Sequence, residues 1–356
     1  MIDWTRSMQQ TYEFYTVDPD SWGDKEKITT IESCSITRDA SVDTLGSASF
    51  DCNGILDEQY IRVYLRVKQD GENDRVCLGT FLTQTPSDKF DGKRRTISLD
   101  GYTPLIELKL DYPSLGYTVR KDTQIMDTVY RLCIEHMRAP VSEAKTDKNL
   151  YNHFVANTDD TWFSYISDLM ANAKYHFGLE PEGKVIFEPQ IELQAMRPVW
   201  EYNDGNSSIL LPEITNERDL FNVPNVVEVV YSTDGEIYTS VAINDDPNSI
   251  TSTVSRGHIV RYRDTRPNMS ENMLGDNAQS YLDEYAERLL RNLSNIEHEL
   301  TYSHGYCPVR LGDCVLLNYD RANLCNVRAR VIKQEIECET GCVVSETAIY
   351  TTQLWR

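Results

Sequence analysis

Histidine and cysteine are the side chains best suited to bind a metal or to act as nucleophiles, and this 356-residue chain has six histidines and nine cysteines. No histidine lies in an HExxH motif, and no two cysteines form a CxxC pair. His298, His304 and Cys307 are close in sequence, but a predicted strand and a glycine intervene, and the spacing is not that of zinc ligands. We therefore expect no metal and no cofactor.

Motifs for other chemistry are also missing from the sequence. It contains no GxSxG nucleophile elbow, no phosphate-binding glycine loop and no GxGxxG fingerprint. The 56 aspartates and glutamates make a chance pair at glycosidase spacing almost certain, so such a pair carries no information. The sequence thus predicts a protein that is not an enzyme.

Composition narrows the classes of partner and compartment. The chain has 35 lysines and arginines against its 56 acidic residues, a formal net charge of -21, which disfavours binding to a DNA backbone. Such a surface would suit DNA that slides past without sticking. Unpaired, scattered cysteines are typical of reduced thiols in a protein made inside a cell. No secretory signal and no membrane-spanning run is recognisable, so we expect no membrane insertion.

The pattern of elements predicts an α+β, mainly β fold in three parts. Residues 1–110 read as a β domain of short strands, in which Tyr60 to Val67 alternates most clearly. Residues 111–197 contain two helical stripes and a hairpin, which predicts a small α+β domain. Residues 198–356 return to strands with one helix, from Ala278 to Leu290, and form the second β domain.

The last fifty residues form a predicted β-meander that resembles an earlier segment. Residues 60–102 and 309–350 both show a strand, a glycine-marked bend, a long strand, a glycine-bearing turn and a return strand. We expect these to be equivalent parts of two related β domains. The polar faces of the last strands, which include Glu335, Glu337 and Glu346, are predicted to face a lumen or a neighbouring subunit.

Several segments resemble the phage tail and baseplate hub family of contractile-tailed phages and defective prophages. The similar segments, in their order along the chain, are Tyr12 to Trp22, Ser33 to Asp51, Leu78 to Pro86, Ile97 to Leu108, Ala278 to Leu290, Glu297 to Gly305, Pro308 to Val315 and Val327 to Tyr350. Each motif is soft, but together they cover nearly the whole chain in the order found in that family.

The resemblance implies a structural role in a virion. It implies two tail-tube-like β-barrel domains that flank the small α+β domain, and a homotrimer that forms a pseudo-hexameric ring. Such a ring joins the tail tube protein to the central spike, contacts the tape-measure protein and other baseplate proteins, and encloses a channel through which DNA passes. It implies location in the virion tail or baseplate after assembly in the host bacterial cytoplasm.

Two other functions remain open from the sequence. One is a cell-wall-degrading tail-tip protein that uses paired carboxylates. The other is a carbohydrate-binding tail-tip module, for which exposed aromatic side chains at Tyr60, Tyr64 and Trp200 would form the binding platform. Strand packing or subunit contacts are the simpler roles for these aromatic residues.

Overall fold

Strands dominate the computed structural model, which describes residues 2–54, 57–90, 92–93, 95–218, 220–233, 236–265 and 278–353. The predicted mainly β class is confirmed. In chain order the strands are β1 (Gln9–Val17), β2 (Asp24–Ile28), β3 (Ile31–Asp39), β4 (Gly46–Cys52), β5 (Tyr60–Gln69), β6 (Glu72–Phe90), β7 (Arg95–Tyr102), β8 (Thr118–Val119), β9 (Phe154–Val155), β10 (Tyr175–Leu179), β11 (Val185–Pro189), β12 (Trp200–Asn203), β13 (Leu210–Arg218), β14 (Val226–Thr233), β15 (Glu236–Ile243), β16 (Arg261–Asp264), β17 (Asn295–Gly305), β18 (Cys314–Tyr319), β19 (Leu324–Glu337) and β20 (Val343–Gln353).

Helices form a smaller part of the described chain. They are α1 (Ile106–Leu110), α2 (Ile125–His136), α3 (Trp162–Ala171), α4 (Thr253–Arg256) and α5 (Ala278–Leu293). Short 3₁₀ turns lie at Leu193–Ala195 and Asp320–Ala322. Within the described ranges, none of the helices has both the length and the apolar character that crossing a membrane requires.

Contacts divide the chain into two compact units. The first unit contains Met1–Ile214 and Tyr302–Ala348, and the second contains Thr215–Thr301 and Ile349–Arg356. The divisions fall inside β13, β17 and β20, so each of these strands contributes residues to both units. The predicted three-domain division stays a prediction.

The first unit contains two antiparallel meanders in one sheet. The strand order runs β20-β19-β3-β4-β7-β6-β5-β1-β2, and β18 pairs with both β19 and β12. We call β5–β6–β7 the first meander and β18–β19–β20 the second meander. Strands β3 and β4 connect the two meanders: β19 pairs with β3, with Ile336 opposite Ile36, and β4 pairs with β7. The glycine-bearing turn predicted before the return strand lies between β19 and β20, where Gly341 has the positive φ of 98° that favours glycine.

Apolar faces of this sheet share one core, and the middle of the chain has its own. Strand side chains such as Phe50, Leu65 and Ile336 pack together in the first core. In the second core, α2 and α3 bury their apolar stripes against each other and against the β10–β11 hairpin. Helix α2 begins one residue after Gln124, whose side chain caps it by accepting from the Asp127 N–H.

The second unit is built around a three-stranded sheet in the order β15-β14-β16. Helix α5 packs on one face of this sheet because its apolar residues recur at helical spacing. Its Leu282, Ala286 and Leu290 meet Val227 and Val229 of β14 in a buried cluster. The predicted helix from Ala278 is therefore present and has a core of its own.

Candidate functional site

A buried polar cluster lies in the first unit, among strands that otherwise bury apolar side chains. Its members, which we call the Glu346 cluster, are Tyr202, Tyr302, His304, Cys307, Gln334 and Glu346. Glu346 and His304 are both 0% exposed. Buried charged groups are costly unless they are paired, so the stability of this cluster depends on the partners of each group.

Strand geometry brings these residues together from five segments. Side chains two residues apart in a strand point to the same side, so Tyr302 and His304 of β17 both point inward. The same rule puts Glu346 of β20 on the buried face between Val344 and Ala348. Tyr202 comes from β12 and Gln334 from β19, while Cys307 lies just after β17.

The carboxylate of Glu346 is the acceptor at the centre of the cluster. Its Oε1 atom accepts from the Tyr302 hydroxyl at 2.5 Å and from the Tyr202 hydroxyl at 3.4 Å. Its Oε2 atom accepts from Gln334 Nε2 at 2.6 Å and lies 3.5 Å from His304 Nε2. Hydrogen bonds to a carboxylate are stronger than those between neutral groups, so these contacts offset part of the cost of burying the charge.

His304 is the basic partner of that carboxylate. Its Nδ1 atom lies 2.8 Å from the carbonyl oxygen of Gly305, which can only accept, so Nδ1 carries a proton. Burial alone lowers the pKa of the imidazole, but hydrogen bonds and charge interactions with Cys307 and Glu346 outweigh it and raise the pKa to about 10. At neutral pH the cluster therefore holds a buried imidazolium–carboxylate pair.

The remaining polar groups complete the network. Tyr202 OH lies 3.0 Å from His304 Nε2 and 3.3 Å from Cys307 Sγ. Burial, followed by the nearby Glu346 charge, raises the pKa of the Tyr202 and Tyr302 hydroxyls well above their usual value, so both are neutral donors. Arg38 Nη1 extends the network by donating to Gln334 Oε1 at 2.8 Å. What this arrangement can do chemically is to hold strands together through a network whose charge depends on pH.

The structure separates the three glutamates that were singled out from the sequence. Glu335 and Glu337 lie on the exposed face of β19, and the Glu335 carboxylate pairs with Lys333 Nζ at 2.7 Å. Glu346 lies on the buried face of β20, inside its own chain. The structure thus does not bring Glu346 to the surface that carries the other two.

A second buried charge lies in the first meander at Arg62. Its Nη1 atom is 2.9 Å from Asp24 Oδ1, and its Nε atom donates to Thr80 Oγ1 at 3.0 Å. Its Nη2 atom donates to the carbonyl oxygens of Trp22 at 3.1 Å and Glu182 at 2.9 Å. Arg62 therefore connects β5 to β6, to the start of β2 and to the turn between β10 and β11.

Two of the aromatic residues considered for carbohydrate binding are buried, which corrects the expectation that they are exposed. Tyr60 is 2% exposed, and its ring contacts that of Trp22 edge-to-face at 4.8 Å. Tyr64 is 7% exposed, and its hydroxyl donates to Asp24. Trp200 in β12 is half-buried. The reason is that both faces of β5 are covered, so its alternating tyrosines do not face solvent.

The histidines and cysteine considered as metal ligands have other partners. His304 and Cys307 belong to the Glu346 cluster, whereas His298 contacts Asn216 and Thr352 and stacks on Tyr350 in the second unit. Across the residues that the structure describes, no three His, Cys, Asp or Glu side chains are arranged to hold a metal ion.

The sequence did carry a signal for Glu346. Val344, Glu346 and Ala348 are spaced by two residues, so their side chains lie on the same face of the strand. The two apolar neighbours mark that face, and with it Glu346, as buried. Gln334 had no such signal, because the burial of β19 shifts from Ala329 and Val331 to Gln334 and Ile336, out of simple alternation. Tyr202 and Tyr302 looked like ordinary strand aromatics.

Comparisons with known proteins identify the fold. No family model matches the sequence, and no curated protein matches it. Among solved structures, a tail protein from Neisseria meningitidis MC58 superposes with a TM-score of 0.62 at 15% identity, covering 96% of this chain and 97% of that one.

Two further solved structures also superpose over nearly all of this chain. The 43 kDa tail protein of prophage MuSo2 from Shewanella oneidensis has a TM-score of 0.59 at 9% identity, and the match covers 95% of this chain and 97% of that one. A chain of the Francisella PdpA–VgrG complex has a TM-score of 0.55 at 9% identity, with 96% of this chain and 53% of that one covered. Identities this low establish the fold alone. At the level of the fold, the resemblance to phage tail and baseplate hub proteins is confirmed, and this chain has the fold of the phage tail proteins.

Proposed function

We propose that this protein is a structural component of a phage tail, in which it serves as the hub of the baseplate. The observation that carries the proposal is full-length likeness: the two tail proteins match over 95–97% of both chains, so the whole architecture is shared rather than one module. Two antiparallel meanders in one chain, and a network of buried charges that holds strands together, are consistent with a scaffold.

In this proposal the hub is a homotrimer. Each chain contributes two tube-like β domains, which gives a ring with six similar positions that joins the tail tube protein above to the spike below. Tape-measure and other baseplate proteins contact the ring, and DNA passes through its channel without specific binding. The net charge of -21 favours passage of DNA over binding. The protein is located in the virion tail and has no enzymatic activity.

The exposed acidic surface of β19 has a defined place in the proposal. Glu335 and Glu337 face the channel lumen or a neighbouring subunit, whereas Glu346 stabilises the interior of its own chain. The exposure of the first two and the burial of the third support this division.

Oligomeric state is the direct test. Purified protein at micromolar concentration is measured by light scattering and imaged by negative-stain electron microscopy, and we expect three-chain rings with six peripheral densities. A chain that stays monomeric, alone and with its tube protein, would refute the hub. A zymogram on purified cell wall serves as a second measurement, in which a cleared zone would refute a purely structural role.

A further inference from the structure

Three cysteine thiols lie together where the second meander meets the first half of the chain. Cys34 is in β3, Cys338 directly follows β19, and Cys342 directly precedes β20. All three are buried members of the same core cluster in the first unit. Nothing in the proposed function uses them.

Cys34 and Cys338 are directly opposite neighbours across the β3–β19 ladder. The register pairs Glu337 with Ser35, and the Cys338 N–H donates to the Cys34 carbonyl oxygen at 3.0 Å, which continues the ladder by one residue. Residues paired in this way have Cα atoms about 5.5 Å apart. Disulfides span Cα separations of about 4.4 to 6.8 Å, so the separation expected from this register lies within the range that a disulfide can bridge.

The two side chains also point the same way. Both thiols enter the same core, and burial, followed by the neighbouring Cys338 thiol, raises the pKa of the Cys34 thiol well above its usual value. Cys342 has a different neighbour: burial raises the pKa of its thiol to about 12, and the nearby Tyr12 hydroxyl opposes that shift. Tyr12 is fixed there by donating to the Glu339 carbonyl oxygen at 2.8 Å.

We propose that Cys34 and Cys338 form an oxidation site, at which a disulfide covalently joins β3 to the end of β19. With hydrogen peroxide as oxidant, one thiol loses its proton, and the resulting thiolate attacks a peroxide oxygen and becomes a sulfenic acid. The O–O bond breaks, and the hydroxide that leaves takes up the released proton to form water. The second thiol then attacks that sulfur, forms the S–S bond and releases a second water. Two thiols and one hydrogen peroxide thus give one disulfide and two waters.

The bond would make the pairing of β3 with β19 depend on the redox conditions around the protein. It would form under oxidising conditions and open under reducing ones. Because it would close a loop containing most of the chain, it would restrict the unfolded state strongly. The thiolate is the reactive form, so the raised pKa of the Cys34 thiol slows its reaction at neutral pH. Disulfide formation should therefore be faster at pH 9 than at pH 7.

The test uses the full chain, reduced and then exposed to hydrogen peroxide. After acid quenching and alkylation, a non-reducing tryptic digest is analysed by mass spectrometry. We expect peptide Ile28–Arg38 linked to peptide Gln334–Arg356, with the linked species lost after reduction. The protein should remain one chain on a non-reducing gel, and its urea midpoint should shift upward.

Variants assign the bond. Cys34→Ala should abolish the linked peptides and the midpoint shift, whereas Cys342→Ala and Cys133→Ala should retain both. Cys133 is a matched control because it is a buried cysteine in the other core of the first unit. A bond confined to peptide Gln334–Arg356 would place the disulfide between Cys338 and Cys342 and overturn the proposal. Full alkylation of Cys34 in unfolded, peroxide-treated wild-type protein would overturn it as well.

Discussion

The two meanders of the first unit share a strand pattern but bury opposite charges. The first meander buries the guanidinium of Arg62, which is paired with Asp24 and with backbone carbonyl oxygens. The second buries the carboxylate of Glu346, which is paired with His304 and with tyrosine and glutamine donors. A guanidinium keeps its charge at every accessible pH, whereas a histidine–carboxylate pair does not. Similar topology therefore leaves the chemistry of the interior free to differ.

The two meanders should therefore respond differently to the loss of their buried charged group. Arg62 connects several separate segments, so its loss removes a hydrogen-bond donor from several groups at once. The Glu346 cluster divides its contacts among donors that also have other partners, such as Gln334 with Val309 O and Arg38. We expect the arginine to be the more costly group to remove, and the glutamate to be the one that makes stability depend on pH.

The largest expected effect is that of Arg62→Ala. The variant removes a buried side chain and leaves the carbonyl oxygens of Trp22 and Glu182 without this donor, while Asp24 keeps Tyr64 and Arg75 as partners. It should lose about 3 kcal/mol of unfolding free energy. Urea denaturation followed by circular dichroism measures it. Arg66→Ala is the matched control in the same strand: its side chain is 51% exposed beside Glu13, so its loss should cost less than about 1 kcal/mol. Equal losses in both variants would contradict the comparison.

Glu346→Gln should have the next largest effect, about 2 kcal/mol. The amide keeps the shape of the carboxylate and one acceptor oxygen, but its NH₂ group faces donors, and the imidazolium of His304 loses its counter-charge. The same urea titration measures the change. Glu337→Gln, an isosteric change on the exposed face of the neighbouring strand, is the control and should leave the midpoint almost unchanged. If Glu346→Gln leaves the midpoint unchanged, the cluster contributes little to stability.

Alkaline pH should weaken the second meander selectively. The pKa of His304 is raised from the usual 6.5 to about 10 in the folded state, so its stabilisation is complete below about pH 6.5 and is lost as pH rises to about 10. One proton held in this way changes stability by at most about 1.4 kcal/mol per pH unit. Urea midpoints at pH 6, 7.5 and 9 should fall in the wild type and in Arg62→Ala, and should fall less in His304→Gln. Parallel slopes in all three proteins would assign the pH dependence to other groups.

Alternation along strands predicted much of this architecture but not its polar interior. Val344, Glu346 and Ala348 follow period two, and so do Tyr302 and His304, so their shared faces were readable from the sequence. The meeting of β12, β17, β19 and β20 around one carboxylate was not readable, because it depends on pairings between strands far apart in the chain. Burial of Arg62 was hidden for a related reason: the turn before β11 covers the polar face of β5.

The smallest expected effect on stability is that of the exposed carboxylates, and it separates folding from assembly. Glu335→Gln and Glu337→Gln should each change the free energy of unfolding by less than about 0.5 kcal/mol, because exposed charges contribute little and Glu335 loses only its pair with Lys333. The double variant that carries both Glu335→Lys and Glu337→Lys, which reverses both charges, should also fold. If these side chains lie between subunits, the double variant will fail to form rings in light scattering. If they line the lumen, rings will form but the variant will not support DNA delivery in a complementation assay. A double variant that assembles and delivers DNA as the wild type does would remove this surface from both roles.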